Sequence, residues 1–330
     1  MRAYVIRRLV FMVPTLLLVT IIVFLLVRFI PGDVIDMMLA QFQEVSGLGT
    51  ELTEEYLKEQ MGLDQPLVVQ YGRWLGVWPQ ETGEISGIIQ GDLGISLWKN
   101  RSISEEILVR LPVSIELGLI SIITGFLIAI PIGVYSAIRQ DTAGDYIGRT
   151  AAIVAISVPA FWIATMVIVY PSIWWGWTPA LEYVPITKNL GENLVQFGIP
   201  GLIMGLMMSG TTMRMTRTMM LEVLRQDYIR TAWAKGLKER TIIVRHAMKN
   251  ALIPVVTIAG MMIPVLIGGT VIIEQIFCLP GIGRYLFESL NQRDYPIISG
   301  INLVIATVVL LSNLLVDVMY AWLDPRVQYH

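Results

Sequence analysis

The 330-residue chain is 55% hydrophobic and 15% charged, against about 25% charged in ordinary globular proteins, and this composition points to a membrane protein. Its formal net charge of −2 conceals a sharp segregation of acidic from basic stretches. Cys278 is the only cysteine, which excludes an intrachain disulfide; His246 and His330, the only histidines, are too few for a histidine metal centre; and without a G-x-x-x-x-G-K-S/T loop any ATP-driven step falls to another polypeptide.

The chain opens with Arg2, Arg7 and Arg8, and Leu9–Ile30 is nearly all apolar before Pro31, Gly32 and Asp33. A signal peptide has an apolar core of about 7–15 residues and a small-residue cleavage site. This run is longer and lacks the site, so residues 1–30 are predicted to be a cytoplasmic N-terminus and an uncleaved first span. Arg28 is expected to snorkel to the outer interface. Residues 31–103 form an external segment, rich in acid (Glu44, Glu51, Glu54, Glu55, Glu59, Asp64, Glu81, Glu84, Asp92). Within it Leu52–Met61 has helical character with Thr53 as a cap, and Gly76–Gly94 is turn-rich. About seventy residues are marginal for an independent core, so the segment is expected to pack on the spans or on a partner.

Residues 104–323 hold the remaining five spans. Ser114–Ile138 is the second, preceded by an amphipathic stretch with Glu105, Glu106 and Arg110, and Gln140–Arg149 is a short internal loop. Ile147–Tyr170 is the third span, with Trp162, Trp174, Trp175 and Trp177 read as an interfacial aromatic belt. Pro179–Phe197 is external. Ile199–Met213 is the fourth span, extended inward by Thr216–Leu224, and Ala251–Ile273 is the fifth. Glu274–Tyr295 is external, Ile297–Leu323 is the sixth span, and 324–330 is a cytoplasmic tail. Each apolar run reaches or approaches the roughly 20 residues a span requires. Gly201, Gly205, Gly210 and Gly260, with Pro254 and Pro264, allow close helix approach or bending.

The stretch 214–250 carries Arg214, Arg217, Arg225, Arg230, Lys235, Lys238, Arg240, Arg245 and Lys249 against only Glu222, Asp227 and Glu239. Such a loop marks the cytoplasmic side. Leu221, Leu224, Tyr228 and Ala232 fall at helical spacing, and Ile229, Trp233 and Leu237 form an adjoining stripe. The pattern predicts a short amphipathic helix, a bend at Gly236, and a second helix capped by Thr241 leading back into the bilayer.

Two carboxylates lie at membrane depth. Asp317, one turn after Asn313, is expected to pair with Arg326 or a loop arginine. Glu116 stays open between a structural and a substrate-binding role. No acid–base chain crosses the membrane, which disfavours a proton-coupled carrier. A membrane-embedded enzyme would need clustered His, Cys or paired acids, and a channel would need charge rings or a filter loop; neither is visible.

DYIRTAWAKGLKERTIIVRHAMKNALIP (Asp227–Pro254) closely resembles the cytoplasmic loop of B-type permeases of the peptide-importer group of the ATP-binding cassette superfamily, covering dipeptide, oligopeptide and nickel uptake. The resemblance extends over nearly the whole chain: RRLVFMVPTLL near the N-terminus, QPLVVQY (Gln65–Tyr71), GDLGIS (Gly91–Ser96), Val271–Gly300, and NLLVDVMYAWLDPR (Asn313–Arg326). The wider superfamily signature places Glu-Ala-Ala and a later Gly where this chain has Arg230, Thr231, Ala232 and Gly236, so only Ala232 and Gly236 agree. Trp233 stands where the peptide-importer group is expected to carry a basic residue.

The resemblance implies an all-α integral membrane protein with the six-helix type I importer permease fold, in a bacterial or archaeal cytoplasmic (inner) membrane with both termini inside. It implies inward movement of di- or oligopeptides by alternating access, or of another solute such as an oligosaccharide or a nickel chelate. The implied partners are a homologous second permease, two cytoplasmic ATPases that bind ATP and Mg, and an external solute-binding protein. The chain itself is expected to carry no cofactor, metal or catalytic residue and to bind no nucleic acid. The coupling residues would be Asp227, Tyr228, Ile229, Arg230, Thr231, Ala232, Trp233, Lys235, Gly236 and Leu237. Tyr228, Ile229, Trp233 and Leu237 would supply the anchor surface, Arg230 and Lys235 charge steering, and Gly236 the bend.

Overall fold

The computed structural model describes residues 2–28, 64–80, 82–180 and 182–323. The helix expected over Leu52–Met61 with its Thr53 cap, and the tail 324–330 with Arg326, lie outside them.

Helices α1 (Arg2–Arg28), α2 (Leu67–Leu75), α3 (Ile103–Ile138), α4 (Ala143–Ser157), α5 (Ala160–Trp175) and α6 (Leu190–Leu224) come first. Then follow α7 (Asp227–Ala234), one turn at Glu239–Thr241, a π-wound stretch Ile242–Ala247, α8 (Met248–Ile276), α9 (Ile282–Gln292) and α10 (Tyr295–Leu323). Among the described residues the one extended pairing is the isolated bridge between Ile95 and Ser102. Five runs are long and apolar enough to cross a bilayer: Ile6–Arg28, Ile103–Ile138, Leu190–Leu224, Glu239–Ile263 and Tyr295–Val318. The pair α4 and α5 is apolar enough only when taken together, and makes a sixth where the two count as one broken span.

That sixth is not the single rod expected over Ile147–Tyr170: its halves meet at 90°. Pro159 is the cause. It has no N–H to continue the ladder, and it pushes Val158 out of the helical region to φ −92°, ψ 123°. The fourth span is longer than expected, because α6 begins inside the polar run read as loop. Asn189 starts it, its side-chain oxygen accepting from the N–H of Gly191 at 3.0 Å and of Glu192 at 3.3 Å. At 35 residues α6 is about 52 Å long. Likewise α3 absorbs the amphipathic stretch before Ser114 into one continuous helix.

The chain divides into two compact units. One comprises Met1–Arg8, Leu111–Arg284 and Val308–His330. In it α6 packs against α4, α5 and α8. Val113, Leu117, Ala164, Phe197, Met204, Met208, Ile273 and Phe277 form one apolar cluster, and Val134, Ala137, Met220, Ile229, Ile242, Ala247 and Ala251 another. Gly205 lets α3 and α6 touch backbone to backbone: a Cβ there would sit 2.9 Å from Ser121 O and 3.0 Å from Gly125 N. Thr124 Oγ1 bonds across the same contact to Gly201 O at 3.1 Å. Arg8 pairs with Asp317, a partner the sequence reading did not name, while Arg326 lies outside the described residues.

The other unit comprises Leu9–Arg110 and Tyr285–Thr307. Phe24 meets the rings of Tyr71 and Trp74 at 5.2 and 5.7 Å. The Arg28 guanidinium lies 3.6 Å over Phe24 and bonds to Gln70, so it is held by protein groups. Ser96 Oγ donates to the buried Asp294 carboxylate at 2.7 Å, and Trp98 Nε1 donates to Gln292 O at 2.8 Å. The described part of the segment 31–103 therefore packs on the turn between α9 and α10. Tyr285 lies under the Arg110 guanidinium at 4.3 Å; burial, and then Glu106, push its hydroxyl up to about 12.

Candidate functional site

The basic loop folds into a short helix closed at both ends. Gln226 sits at φ −72°, ψ 149°, outside the helical region, so α6 ends and α7 starts afresh with Asp227 in its first turn. At the other end Leu237 N–H bonds to Ala232 O and Gly236 N–H to Trp233 O, a paired closure that needs a left-handed residue between. Gly236 supplies it with φ 72°. The bend expected there is present.

Fresh phase at Gln226 decides which residues face inward. Ile229 (0% exposed) and Ala232, three apart, are buried against Val134 and Ala137 of α3, Met220 of α6, and Ile242, Ala247 and Ala251. Asn250 Nδ2 donates to Tyr228 Oη at 2.8 Å, tying the helix to α8. Tyr228 (43%), Trp233 (49%) and Leu237 (38%) are exposed. Asp227, Arg230, Thr231, Lys235 and Gly236 are exposed too. The two sequence stripes are thus cut across, and Ile229 is an internal anchor where an outward one was expected.

Thr241 is not the cap of the return helix. It has helical angles (φ −68°, ψ −43°) after a start at Glu239. The next six residues widen into π winding. Ile242 and Ala247 are five apart, about 140° round an α-helix, and i→i+5 bonding brings both to the buried side.

Glu116, on α3, is faced by the side-chain amide of Asn193 of α6, which donates towards its carboxylate. Asn193 is fully buried; its Nδ2 donates to Val184 O at 3.0 Å, while its Oδ1 and Glu116 Oε1 have no hydrogen-bond partner among the described residues. Tyr183 stands near, ring-to-edge on Phe197 at 6.0 Å; burial, and then the Glu116 charge, raise its hydroxyl above the usual phenol range. Sequence reading missed Asn193 because it fell in a presumed loop.

A second buried carboxylate, Glu274, is fully satisfied. Ser114 Oγ donates to it at 2.6 Å and Arg284 N–H at 2.9 Å, while Ile282 N–H donates to Ser114 Oγ at 2.9 Å. It caps the first turn of α9, a structural task. The following Pro280-Gly281 was the available signal: a Cβ on Gly281 would lie 2.3 Å from the Glu274 carboxyl carbon. Among the described residues no three His, Cys, Asp or Glu side chains converge as a metal site.

A family model described as "Binding-protein-dependent transport system inner membrane component" matches residues 129–329, and one described as its membrane component N-terminal region matches 1–118. The chain is 38% identical over 333 residues to the oligopeptide transport system permease protein AppB of Bacillus subtilis, covering 100% of both. It is 37% identical over 349 residues to the dipeptide transport system permease protein DppB of Alkalihalophilus pseudofirmus, again covering 100% of both. The Escherichia coli K12 DppB is 34% identical, with 100% of this chain and 99% of that one covered. Among solved structures, a chain from a crystal structure of an amino acid ABC transporter with histidines superposes at a TM-score of 0.50 and 11% identity, covering 66% of this chain and 94% of that one. That likeness is one of fold.

Proposed function

Since the chain belongs to the family of binding-protein-dependent transport system inner membrane components, we propose that it is the peptide-translocating permease subunit of an ATP-driven importer, carrying di- and oligopeptides inward by alternating access. Full-length identity to permeases named for oligopeptides and dipeptides supports that solute class. The partners are a homologous second permease, two ATPases that bind ATP and Mg on the cytoplasmic side, and an external solute-binding protein. The basic loop and both termini are cytoplasmic, and residues 104–323 form the permease domain.

The observation that carries the mechanism is the two-faced α7. Its outer face and the turn after it offer Tyr228, Trp233 and Leu237 within a rim of Arg230 and Lys235, the aromatic-plus-basic make-up of an interface anchor. Its inner face is keyed by Ile229 and Ala232 into residues of α3, α6 and α8. ATPase closure against the outer face therefore displaces three spans at once. Coupling requires only that the ATPase states bias a two-state arrangement of those spans.

The test is ATP hydrolysis by the reconstituted complex with a peptide-loaded binding protein. Trp233→Ala with Leu237→Ala removes two exposed anchors, and stimulated hydrolysis is expected to fall about tenfold or more while the thermal unfolding of the permease stays unchanged. Full stimulation in that variant would make α7 a plain connector and end the coupling reading.

A further inference from the structure

We propose that Glu116 and Asn193 form a receptor for the terminal ammonium group of the transported peptide. The inference rests on the peptide reading above and deepens it. Two oxygens, Glu116 Oε1 and Asn193 Oδ1, are buried on neighbouring side chains, and neither has a donor among the described residues. The Asn193 amide turns its N–H groups to Val184 O, at 3.0 Å, and to the Glu116 carboxylate, so its orientation is set and its own oxygen is left over beside Glu116 Oε1. A buried acceptor without a donor is costly, and two side by side point to a missing donor.

The donor has to satisfy a carboxylate and an amide oxygen together. A primary ammonium carries three N–H donors and one positive charge, and meets both needs. Tyr183 and Phe197 line the same place with aromatic surface, and ring faces attract a cation. The chemistry also suits an importer of many peptides: every unmodified peptide carries a terminal ammonium whatever its side chains. A receptor for it accepts the class without reading the sequence.

The experiment compares uptake of dialanine and N-acetyl-dialanine into proteoliposomes holding the whole complex, with wild type and with Glu116→Gln. Any preference of the binding protein for the free amine is common to both permeases and cancels in the ratio of ratios. Glu116→Gln is expected to reduce the dialanine to acetyl-dialanine preference about tenfold, the worth of one charge-assisted hydrogen bond. A second measurement needs no variant. Labelling of Glu116 in the wild-type complex by a hydrophobic carbodiimide, followed by mass spectrometry, is expected to slow with dialanine and not with acetyl-dialanine. An unchanged preference, or labelling indifferent to dialanine, overturns the receptor and leaves Glu116 a structural group. Protection by sodium chloride alone overturns it in favour of an inorganic cation. If wild type takes up neither peptide, the peptide reading itself fails, and the receptor with it.

Discussion

The Asp145 carboxylate is fully buried, and the Arg217 fork holds both of its oxygens at 2.8 and 2.7 Å while Asp141 N–H adds a third bond at 3.1 Å. The pair links the start of α4 to α6. Removing one partner strands the other's charge or hydrogen bonds in a dry place, so Asp145→Asn is expected to cost about 3 kcal/mol, read as a lowered midpoint in detergent unfolding. Replacing both by apolar groups of similar volume (Asp145→Leu with Arg217→Met) should recover much of the loss. A double variant as unstable as the single one would mean that the pair does not act as a unit. Nothing in the sequence marked this pair: its members are 72 residues apart, and only tertiary structure brings them together. Glu116 was visible because a carboxylate in an apolar run stands out, whereas Asn193 was hidden by its polar neighbours. Local composition reveals the odd residue in a span and conceals its partner.

Elements with strong periodicity were read well. The spans Ser114–Ile138 and Ala251–Ile273, the short loop helix and the bend at Gly236 all lie where pattern placed them. The departures occur where one residue overrides the pattern: Pro159 breaks an apolar run into two helices, and Asn189 starts a helix in a polar one. The π winding at Ile242–Ala247 was illegible because it answers to packing against α7 rather than to local preference. The α3–α6 contact makes a prediction at this scale. Gly205→Ala puts a methyl within 3.0 Å of two backbone atoms and must separate the helices, at about 1–3 kcal/mol. Gly198→Ala, on the same helix with nothing within 4 Å, is the control and should be neutral or mildly stabilising. Equal melting curves for the two variants would contradict the close contact.

At the scale of the molecule, the proposed orientation is testable because Cys278 is the only cysteine. In a Cys278→Ser background, a membrane-impermeant maleimide should label Ile186→Cys on intact spheroplasts and Lys235→Cys only after permeabilisation. Both positions are exposed, so access and not burial decides the result. The reverse pattern would invert the topology and remove the cytoplasmic docking role of α7.

The Pro159 bend has a further consequence. Two helices of 15 and 16 residues meeting at 90° cannot both stand along the membrane normal. Each is only about 23 Å long, short of the roughly 30 Å hydrocarbon layer. Lipid that thins to meet them, or a pair that tilts, carries an elastic cost that grows with acyl-chain length. The bilayer is thus a mechanical partner of this subunit, and its thickness enters the balance between the conformations through which transport proceeds.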